Sequence, residues 1–200
     1  YTKFSKDIQK GKDTPLKSIT FMGFIVLHDP IREEAKESIH TAHTSGIRVI
    51  MLTGDHYTTA HHVAETVGIR KKGDKTLVGE QIENLSDKDL LGALEDTSVF
   101  ARALPQQKLR IARLLKSKGE VVAMTGDGVN DAPALHSADI GIALGSGTDV
   151  AKEASDLVLL DNGFNFIIYA IEEGRRIVDN LKKITAYLLS TGFSEIFVVG

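Results

Sequence analysis

The chain has 200 residues, 42% hydrophobic and 26% charged, which is typical of a globular protein and excludes a disordered or collagen-like one. It contains no cysteine, which excludes disulfides, thiolate nucleophiles and iron–sulfur clusters. With 24 lysines and arginines against 27 aspartates and glutamates, its net charge of −3 offers no basic footprint for nucleic acid.

The first half of the chain alternates apolar strand patterns with helical ones. Gly46 and Gly68 each follow a helical pattern, in the position where glycine commonly ends a helix. Ser86 precedes another helical pattern and predicts an N-terminal cap. In chain order the patterns predict a polar surface segment at 2–17, a strand at 19–27, a helix at 33–45, a strand at 47–52, and helices at 58–67 and 87–94.

The second half continues the alternation. After the apolar segment 99–101 it predicts a helix at 105–115, a strand at 121–124, a short helix at 132–137, strands at 140–144 and 157–160, and a long helix from about residue 164. Buried strands that alternate with helices predict an α/β fold, with a parallel sheet and helices on both faces. Ligands of such a fold bind outside the carboxyl ends of the strands.

Two predicted strands lead into the same tripeptide, Thr-Gly-Asp, at 53–55 and at 125–127. Each copy supplies a hydroxyl, a glycine that lets backbone N–H groups approach an anion, and a carboxylate. A carboxylate repels a facing phosphate unless a divalent cation lies between them. Asp127 followed by Asn130 and Asp131 therefore predicts a magnesium and phosphate loop, whereas 53–55 taken alone is also compatible with a plain turn.

The last stretch, residues 184–200, is apolar except for hydroxyl groups and Glu195. A membrane span needs about 20 apolar residues, so the length fits either a truncated membrane helix or a terminal core helix. The apolar side chains cover all sides of the helix, which favours the membrane interpretation. An ionisable group such as Glu195 inside a membrane segment is a functional candidate.

The segment 122–135, VAMTGDGVNDAPAL, resembles a signature of the P-type cation-transporting ATPases, which are members of the haloacid dehalogenase superfamily. Further motifs of that family follow in its order at 29–32, 51–55, 100–108, 147–156 and 174–177. The resemblance covers about residue 19 to the end. Within the family it is most similar to the type II, calcium-pump-like ion pumps.

This resemblance implies a haloacid dehalogenase-like parallel sheet flanked by helices and followed by a long stalk helix. Residues 1–28 would be the tail of a nucleotide-binding domain, with Asp29 and Arg32 at its hinge. Residues 29–163 would be the C-terminal part of the phosphorylation domain, and 164–200 a stalk helix running into a truncated transmembrane helix. The parent protein would be a multi-pass membrane pump that uses ATP and Mg²⁺ and transports a cation, with this segment mostly on the cytoplasmic side.

The family's phosphorylation-site residues carry over to matching positions. Asp127 would ligate Mg²⁺, and Lys108 would neutralise the phosphoryl oxygens. Both roles suit phosphoryl transfer, in which charge compensation provides most of the catalysis. Asn130 and Asp131 would position the phosphate and the magnesium loop.

The nucleotide contacts carry over in the same way. Thr53 would hydrogen-bond the phosphoryl group, and Gly54 and Asp55 beside it would hold the nucleotide and the loop in place. Arg102 would reach a phosphate or the ribose of the nucleotide. Together these positions predict an ATP-binding edge.

The family's nucleophile is an aspartate in an Asp-Lys-Thr-Gly-Thr string, which this chain does not contain. Residues 74–77, Asp-Lys-Thr-Leu, begin the string but lack the Gly-Thr and follow no apolar strand, so we interpret them as a surface turn. The chain alone is therefore expected not to phosphorylate itself, because covalent catalysis needs that carboxylate.

Some positions depart from the family pattern. His56 stands where relatives have a small or amide residue, and we interpret it as a solvent-facing helix cap. Leu104 replaces an acidic residue that is frequent in the family. Glu195 matches a carboxylate that ligates the transported ion in calcium pumps, but Gly192 replaces a neighbouring amide ligand, so the ion stays open.

Two other functions share parts of this pattern. A soluble phosphatase of the same superfamily has the Gly-Asp-Gly-x-Asn-Asp loop, but its nucleophile lies near its start and it lacks a long helix with an apolar tip. A non-catalytic phosphate-binding module would retain only the loop. Retention of Lys108 together with Asp127, Asn130 and Asp131 argues against such a decayed site.

Overall fold

A computed structural model describes residue 23 and residues 30–161 and 163–199 of the chain. The chain divides into two compact units, residues 1–30 and 31–200. Apart from residue 23, the predicted strand at 19–27 lies outside the described residues, and so does the predicted hinge residue Asp29. The elements below belong to the second unit.

The first half of this unit contains five helices and three strands. They are α1 (Glu33–Thr44), β1 (Met51–Leu52), α2 (Tyr57–Val67), β2 (Lys75–Val78), α3 (Gly79–Asn84), α4 (Asp87–Ala93), β3 (Thr97–Ala101) and α5 (Pro105–Ser117). The strands form a parallel sheet in the order β1-β3-β2, with Met51 opposite Val99 and Leu77 opposite Phe100.

The second half contains β4 (Ala123–Gly126), a 3₁₀ turn (Val129–Asp131), α6 (Ala132–Ser137), β5 (Ile140–Leu144), α7 (Asp149–Glu153), β6 (Leu157–Leu159) and α8 (Phe164–Val199). Its strands form a second parallel sheet in the order β4-β5-β6, with Thr125 opposite Ile142. The predicted α/β fold with parallel strands is confirmed, and in the described residues the strands form two three-stranded sheets.

Strand β3 is buried along its whole length because helices cover both of its faces. Val99 packs in a core cluster with Ala60 and Ala64 of α2. Phe100, on the opposite face, packs with residues of α3, α4 and α5, among them Ile111. The alternation of β3 side chains thus builds two cores at once.

Leu52, the last residue of β1, connects the two sheets. It packs against the cluster around Phe100 and also against a third cluster, which contains Met124 of β4 and Leu135 of α6. Met124 precedes Thr125 as Leu52 precedes Thr53. The ends of the two strands that carry Thr-Gly-Asp therefore lie on the same core.

Some strand boundaries differ from the sequence prediction. The strand expected at 47–52 is only β1, because the N–H of Ile47 donates to the carbonyl of Ala42 at 2.9 Å and closes the end of α1 around Gly46, whose φ is +74°. The Arg48 side chain then donates to the carbonyl of Thr97 at 2.9 Å. Residues 47–50 thereby serve to end a helix rather than to extend the sheet.

Other elements went unpredicted. Interpreting residues 74–77 as a turn was wrong for 75–77, which belong to β2 and pair with β3. Helices α3 and α7 are only six and five residues long, too short for a helical periodicity to show. The strand predicted at 121–124 is shifted to β4, and Val121 is exposed.

Helix α8 begins where the sequence predicts and runs for 36 residues. Ile167 and Ile168 near its start are buried, and the helix packs beside α1. Beyond residue 173, each side chain of α8 that the structure describes is exposed. Among the described helices none has an apolar stretch sufficient for a bilayer crossing. The assignment of α8 as a stalk and membrane helix stays a prediction.

Candidate active site

The loop after β4 is folded around Asp131. Asp131 is 9% exposed, and its N–H donates to the carbonyl of Gly128 at 3.0 Å. A Cβ placed on Gly126 would lie 2.5 Å from the Cβ of Asp131. Glycine is thus required at 126 because the Asp131 side chain packs directly on its backbone, a reason that the sequence did not suggest.

Lys108 and Asp131 form an ion pair across this loop. The Lys108 Nζ lies 2.7 Å from Asp131 Oδ1, and the two side chains are only 16% and 13% exposed. The other carboxylate oxygen of Asp131 accepts the N–H of Gly128 at 3.4 Å. Both oxygens are engaged, so Asp131 links α5, which carries Lys108, to the loop.

Asp127 has an exposed side chain and a fixed backbone. Its carbonyl accepts the N–H of Thr148 at 2.8 Å. A Cβ on Gly147 would lie 3.0 Å from that carbonyl oxygen and 3.1 Å from the Cα of Asp127. The Thr148 hydroxyl in turn accepts the N–H of Ala151 at 3.3 Å and caps α7.

Gly147 and Thr148 therefore support the backbone of Asp127, a role that the sequence analysis did not give them. The motif at 147–156 was recognised, but nothing in it indicates contact with a loop 20 residues earlier. The only local signal is Thr148 itself, because threonine is a common first residue before a helix. It predicts a helix cap rather than a support for Asp127.

Asparagine and carboxylate oxygens are the ligands that Mg²⁺ prefers. Asp127 and Asn130 are exposed at the loop, whereas the oxygens of Asp131 are taken by Lys108 and the backbone. The donor set fits a magnesium ion held mainly by Asp127, with few protein ligands and room for phosphate oxygens and water.

The loop after β1 forms a second part of the site. The Thr53 N–H donates to the carbonyl of Phe100 at 2.9 Å, and the Thr53 carbonyl accepts the N–H of Ala103 at 2.9 Å. The Arg102 N–H donates to the carbonyl of Asp55, also at 2.9 Å. These three backbone hydrogen bonds join residues 53–55 to residues 102–103 at the carboxyl end of the sheet. The nucleotide contacts of Thr53 and Arg102 stay a prediction.

Thr53 also caps its own turn, since its hydroxyl accepts the N–H of Asp55 at 3.1 Å. Gly54 and Asp55 are exposed. His56 caps the next helix, α2, with its Nδ1 accepting the N–H of Thr58 at 3.4 Å, which confirms the interpretation of this residue. Leu104 is 54% exposed beside this edge and offers no charge.

Arg102 has φ = +49°, the one positive φ among the described residues that are not glycine. A left-handed conformation of this kind costs a non-glycine residue about 1–2 kcal/mol. The surrounding contacts must impose it, and strain of this kind is typical of functional loops. The Arg102 side chain itself is exposed.

Asp74 lies at the other end of the same sheet. It immediately precedes β2, whereas Thr53 and Arg102 follow β1 and β3, and the three strands are parallel. Burial raises the pKa of the Asp74 carboxyl, but the Lys71 N–H that it accepts at 2.9 Å and the charges of Lys71 and Arg70 outweigh this, so its pKa lies below the usual value. Its position separates it from the phosphate loops.

Two further predicted residues were assigned to the hinge and to the membrane segment rather than to this site. Arg32 immediately precedes α1, makes no capping hydrogen bond with its side chain, and faces Glu34 at 3.8 Å, with both side chains about half exposed. Glu195 belongs to α8, but its side chain lies outside the part of the structure that is described.

Comparisons with known proteins bear on the fold and on the family. A profile of the haloacid dehalogenase-like hydrolases matches residues 3–139, and a second profile with the same description matches 108–171. Among solved structures, a zinc-transporting PIB-type ATPase in its E2.Pi state superposes with a TM-score of 0.60 at 31% identity, covering 78% of this chain and 21% of that one. The catalytic domain of the CPx-ATPase CopB-B superposes with a TM-score of 0.53 at 26% identity, covering 70% and 45%.

Curated relatives match in sequence over nearly the whole chain. Calcium-transporting ATPase 1 of Bacillus cereus is 45% identical over 92% of the chain, and calcium-transporting ATPase 1 of Saccharomyces cerevisiae 43% over 98%. The cation-transporting ATPase pma1 of Synechocystis is 48% identical over 88%. The chain covers 20–22% of the length of these three relatives. These matches confirm the resemblance drawn from the motifs, and the chain belongs to the haloacid dehalogenase-like hydrolases.

Proposed function

We propose that the chain is part of an ATP-driven, cation-transporting P-type ATPase and supplies the magnesium- and phosphate-binding half of its phosphorylation site. The observation that carries the proposal is the loop after β4, where a largely buried Lys108–Asp131 pair supports an exposed Asp127. A cation and a metal-binding carboxylate at the carboxyl end of a parallel strand match the needs of a phosphoryl group.

Lys108 of α5 and the residues of this loop have separate roles in the proposal. The Lys108 ammonium has three N–H groups and uses one on Asp131, so others are free to face phosphoryl oxygens. Asp127 holds Mg²⁺, which when bound screens the negative charge on the transferred group. Asn130, exposed on the loop, orients the phosphate, and Asp131 keeps both the loop and Lys108 in position.

ATP is the phosphoryl donor in this proposal. Residues 53–55 and 102–103 are joined by backbone hydrogen bonds at the carboxyl ends of β1 and β3. These two segments carry the Thr53 hydroxyl and the Arg102 guanidinium. A guanidinium is suited to phosphate or ribose oxygens because its N–H groups form a planar fork. Thr53 contacts the phosphoryl group, while Gly54 and Asp55 maintain the loop.

The nucleophile comes from elsewhere in the same polypeptide. Strands β1 and β4, which carry the two Thr-Gly-Asp loops, each lie at the edge of a described sheet. Leu52 and Met124, just before those loops, share one core cluster. A further strand between these edges, ending in the Asp-Lys-Thr-Gly-Thr aspartate, would place a carboxylate between both loops. The isolated chain is accordingly inactive in phosphorylation.

The membrane part of the proposal rests on α8. Its exposed apolar side chains include Leu181, Ile184, Leu188 and Phe193, which in water would be unfavourable for a helix of this length. We place α8 as the stalk that connects the phosphorylation domain to the membrane of a multi-pass pump, with Glu195 as a ligand of the transported cation. Because several relatives are named as calcium-transporting, Ca²⁺ is the first cation to test.

The test is phosphoenzyme formation in the full-length protein. Asp127→Ala should abolish acid-stable, hydroxylamine-sensitive phosphate from radiolabelled ATP, whereas Asp149→Ala, which removes another exposed carboxylate from the same half of the unit, should retain it. Normal phosphorylation of Asp127→Ala would contradict the metal assignment. Glu195→Gln should weaken the cation dependence about tenfold or more while phosphorylation from inorganic phosphate persists. An unchanged cation dependence would leave Glu195 a structural role.

A further inference from the structure

Helix α3 contacts the backbone of Arg102, the residue with the left-handed conformation. Gly79, the first residue of α3, is buried, and a Cβ at that position would collide with the Arg102 carbonyl oxygen. The approach is therefore possible only for glycine. Helix α3 is thus in close contact with the loop that is hydrogen-bonded through its backbone to Thr53 and Asp55.

Gln107 fastens these two segments to each other. It is 3% exposed, and its Oε1 accepts the N–H of Leu104 at 3.1 Å. Its Nε2 donates to the carbonyl of Gly79 at 2.9 Å and to Glu83 Oε2 at 3.0 Å. One buried amide therefore satisfies a donor on the Arg102 loop and two acceptors on α3.

A buried amide with three partners does more than a helix cap needs. Gln81 makes the capping contact alone at the start of α3, where its Oε1 accepts the N–H of Val78 at 3.0 Å, and it is exposed. Gln107 makes the same contact to Leu104 and adds two more across to another helix. The additional hydrogen bonds fix the distance between α3 and the strained loop.

We propose that Gln107, acting through Gly79 and the loop at 102–104, is a positioning residue that aims the Arg102 guanidinium at the nucleotide. The proposal rests on the proposed function, in which Arg102 contacts ATP. Gln107 adjoins Lys108 in α5, but its three partners lie on the nucleotide side of the site and none lies in the loop after β4. Replacing Gln107 should therefore weaken the nucleotide contacts and spare the magnesium and phosphate loop.

The experiment uses the full-length protein and two routes to the phosphoenzyme. Phosphorylation from ATP needs the nucleotide contacts, whereas phosphorylation from inorganic phosphate needs the contacts to the phosphoryl group, which are the loop after β4 with Lys108 and the Thr53 hydroxyl, but not Arg102. Gln107→Leu should raise the KM for ATP about tenfold, the effect of one lost hydrogen bond to a charged group, with the maximal rate nearly unchanged. The apparent affinity for inorganic phosphate should stay within about twofold of the wild type.

Gln81→Leu is the matched control, since it removes the same capping contact without touching the Arg102 loop, and it should leave both routes unchanged. If Gln107→Leu folds poorly, Gln107→Glu provides the second variant, because it keeps an acceptor for Leu104 but opposes the carboxylate of Glu83. Adding Glu83→Gln should then recover much of the lost ATP affinity, since an amide again faces a carboxylate across the same contact.

An unchanged KM for ATP in both Gln107 variants would overturn the proposal, as would an equal loss by both routes, which indicates a purely structural role. A wild-type protein that forms no phosphoenzyme from either source would instead overturn the proposed function, and this inference with it.

Discussion

Breaking the ion pair between Lys108 and Asp131 should cost more unfolding free energy than breaking an exposed pair of the same length. Breaking a fully buried pair by removing one partner costs about 3–5 kcal/mol, because it leaves an uncompensated charge in the protein. Here the side chains keep 16% and 13% of their exposure, so water can solvate the remaining charge in part. We expect Lys108→Met to lower the free energy of unfolding by about 2–3 kcal/mol.

The double variant Lys108→Met, Asp131→Asn should be more stable than the sum of the losses in the two single variants implies. It buries no unpaired charge, and we expect a coupling energy of at least about 1 kcal/mol between the two positions. The assay is urea unfolding of the chain followed by circular dichroism at neutral pH, for the wild type, both single variants and the double variant.

A pair on the surface provides the control. Lys118 and Glu95 also lie 2.7 Å apart, but their side chains are 44% and 69% exposed. The corresponding cycle with Lys118→Met and Glu95→Gln should show a clearly smaller coupling, because exposed charges are solvated whether or not they are paired. Equal coupling in both cycles, or strict additivity for Lys108 and Asp131, would refute the argument from burial.

Two further predictions concern the supports of this half of the chain. The Val122 N–H and the Lys116 ammonium hold the pKa of Asp139 below its usual range. The ionised carboxylate therefore stabilises the fold near neutral pH, and this effect is lost as the pH falls below about 4. The difference in unfolding free energy between wild type and Asp139→Asn should shrink accordingly in acid unfolding titrations. A pH-independent difference would show that the charge is not involved. Gly147→Ala should cost about 1–3 kcal/mol by pushing on the backbone of the proposed magnesium ligand, and phosphoenzyme formation should fall with it. Gly174→Ala, with open space around it in α8, should instead stabilise by about 0.5–1 kcal/mol, and similar losses in both variants would contradict the steric explanation.

Helix ends could be predicted because their signals are local. Gly46 and Gly68 end α1 and α2 with φ of +74° and +83°, and Ser86 caps α4 by accepting the N–H of Asp89 at 3.2 Å. These positions depend on backbone conformations and hydrogen bonds within a few residues of each other. The same holds for Pro105 at the first turn of α5.

The strands were harder to place because their partners are remote in sequence. Residues 47–50 have the composition of a strand, yet the end of α1 takes the N–H of Ile47 and the Arg48 side chain takes the carbonyl of Thr97, and the strand begins only at Met51. The reverse happened at 75–78, where a partly polar segment became β2 only because β3 lies beside it. Pairing of this kind depends on tertiary context more than on propensity.

For the site, the sequence by itself determined which residue types are present: a cation at 108, carboxylates at 127 and 131, and two Thr-Gly-Asp turns that follow strands. It also determined the family, since ordered motifs need no coordinates. Only the tertiary structure decided how these groups divide their work. Asp131 became a support because burial brought Lys108 within 2.7 Å of it, and Asp127 stayed available because its backbone, not its carboxylate, is held by Gly147 and Thr148. Solvation and contact between residues far apart in the chain set these roles, and neither is encoded in a local pattern of residues.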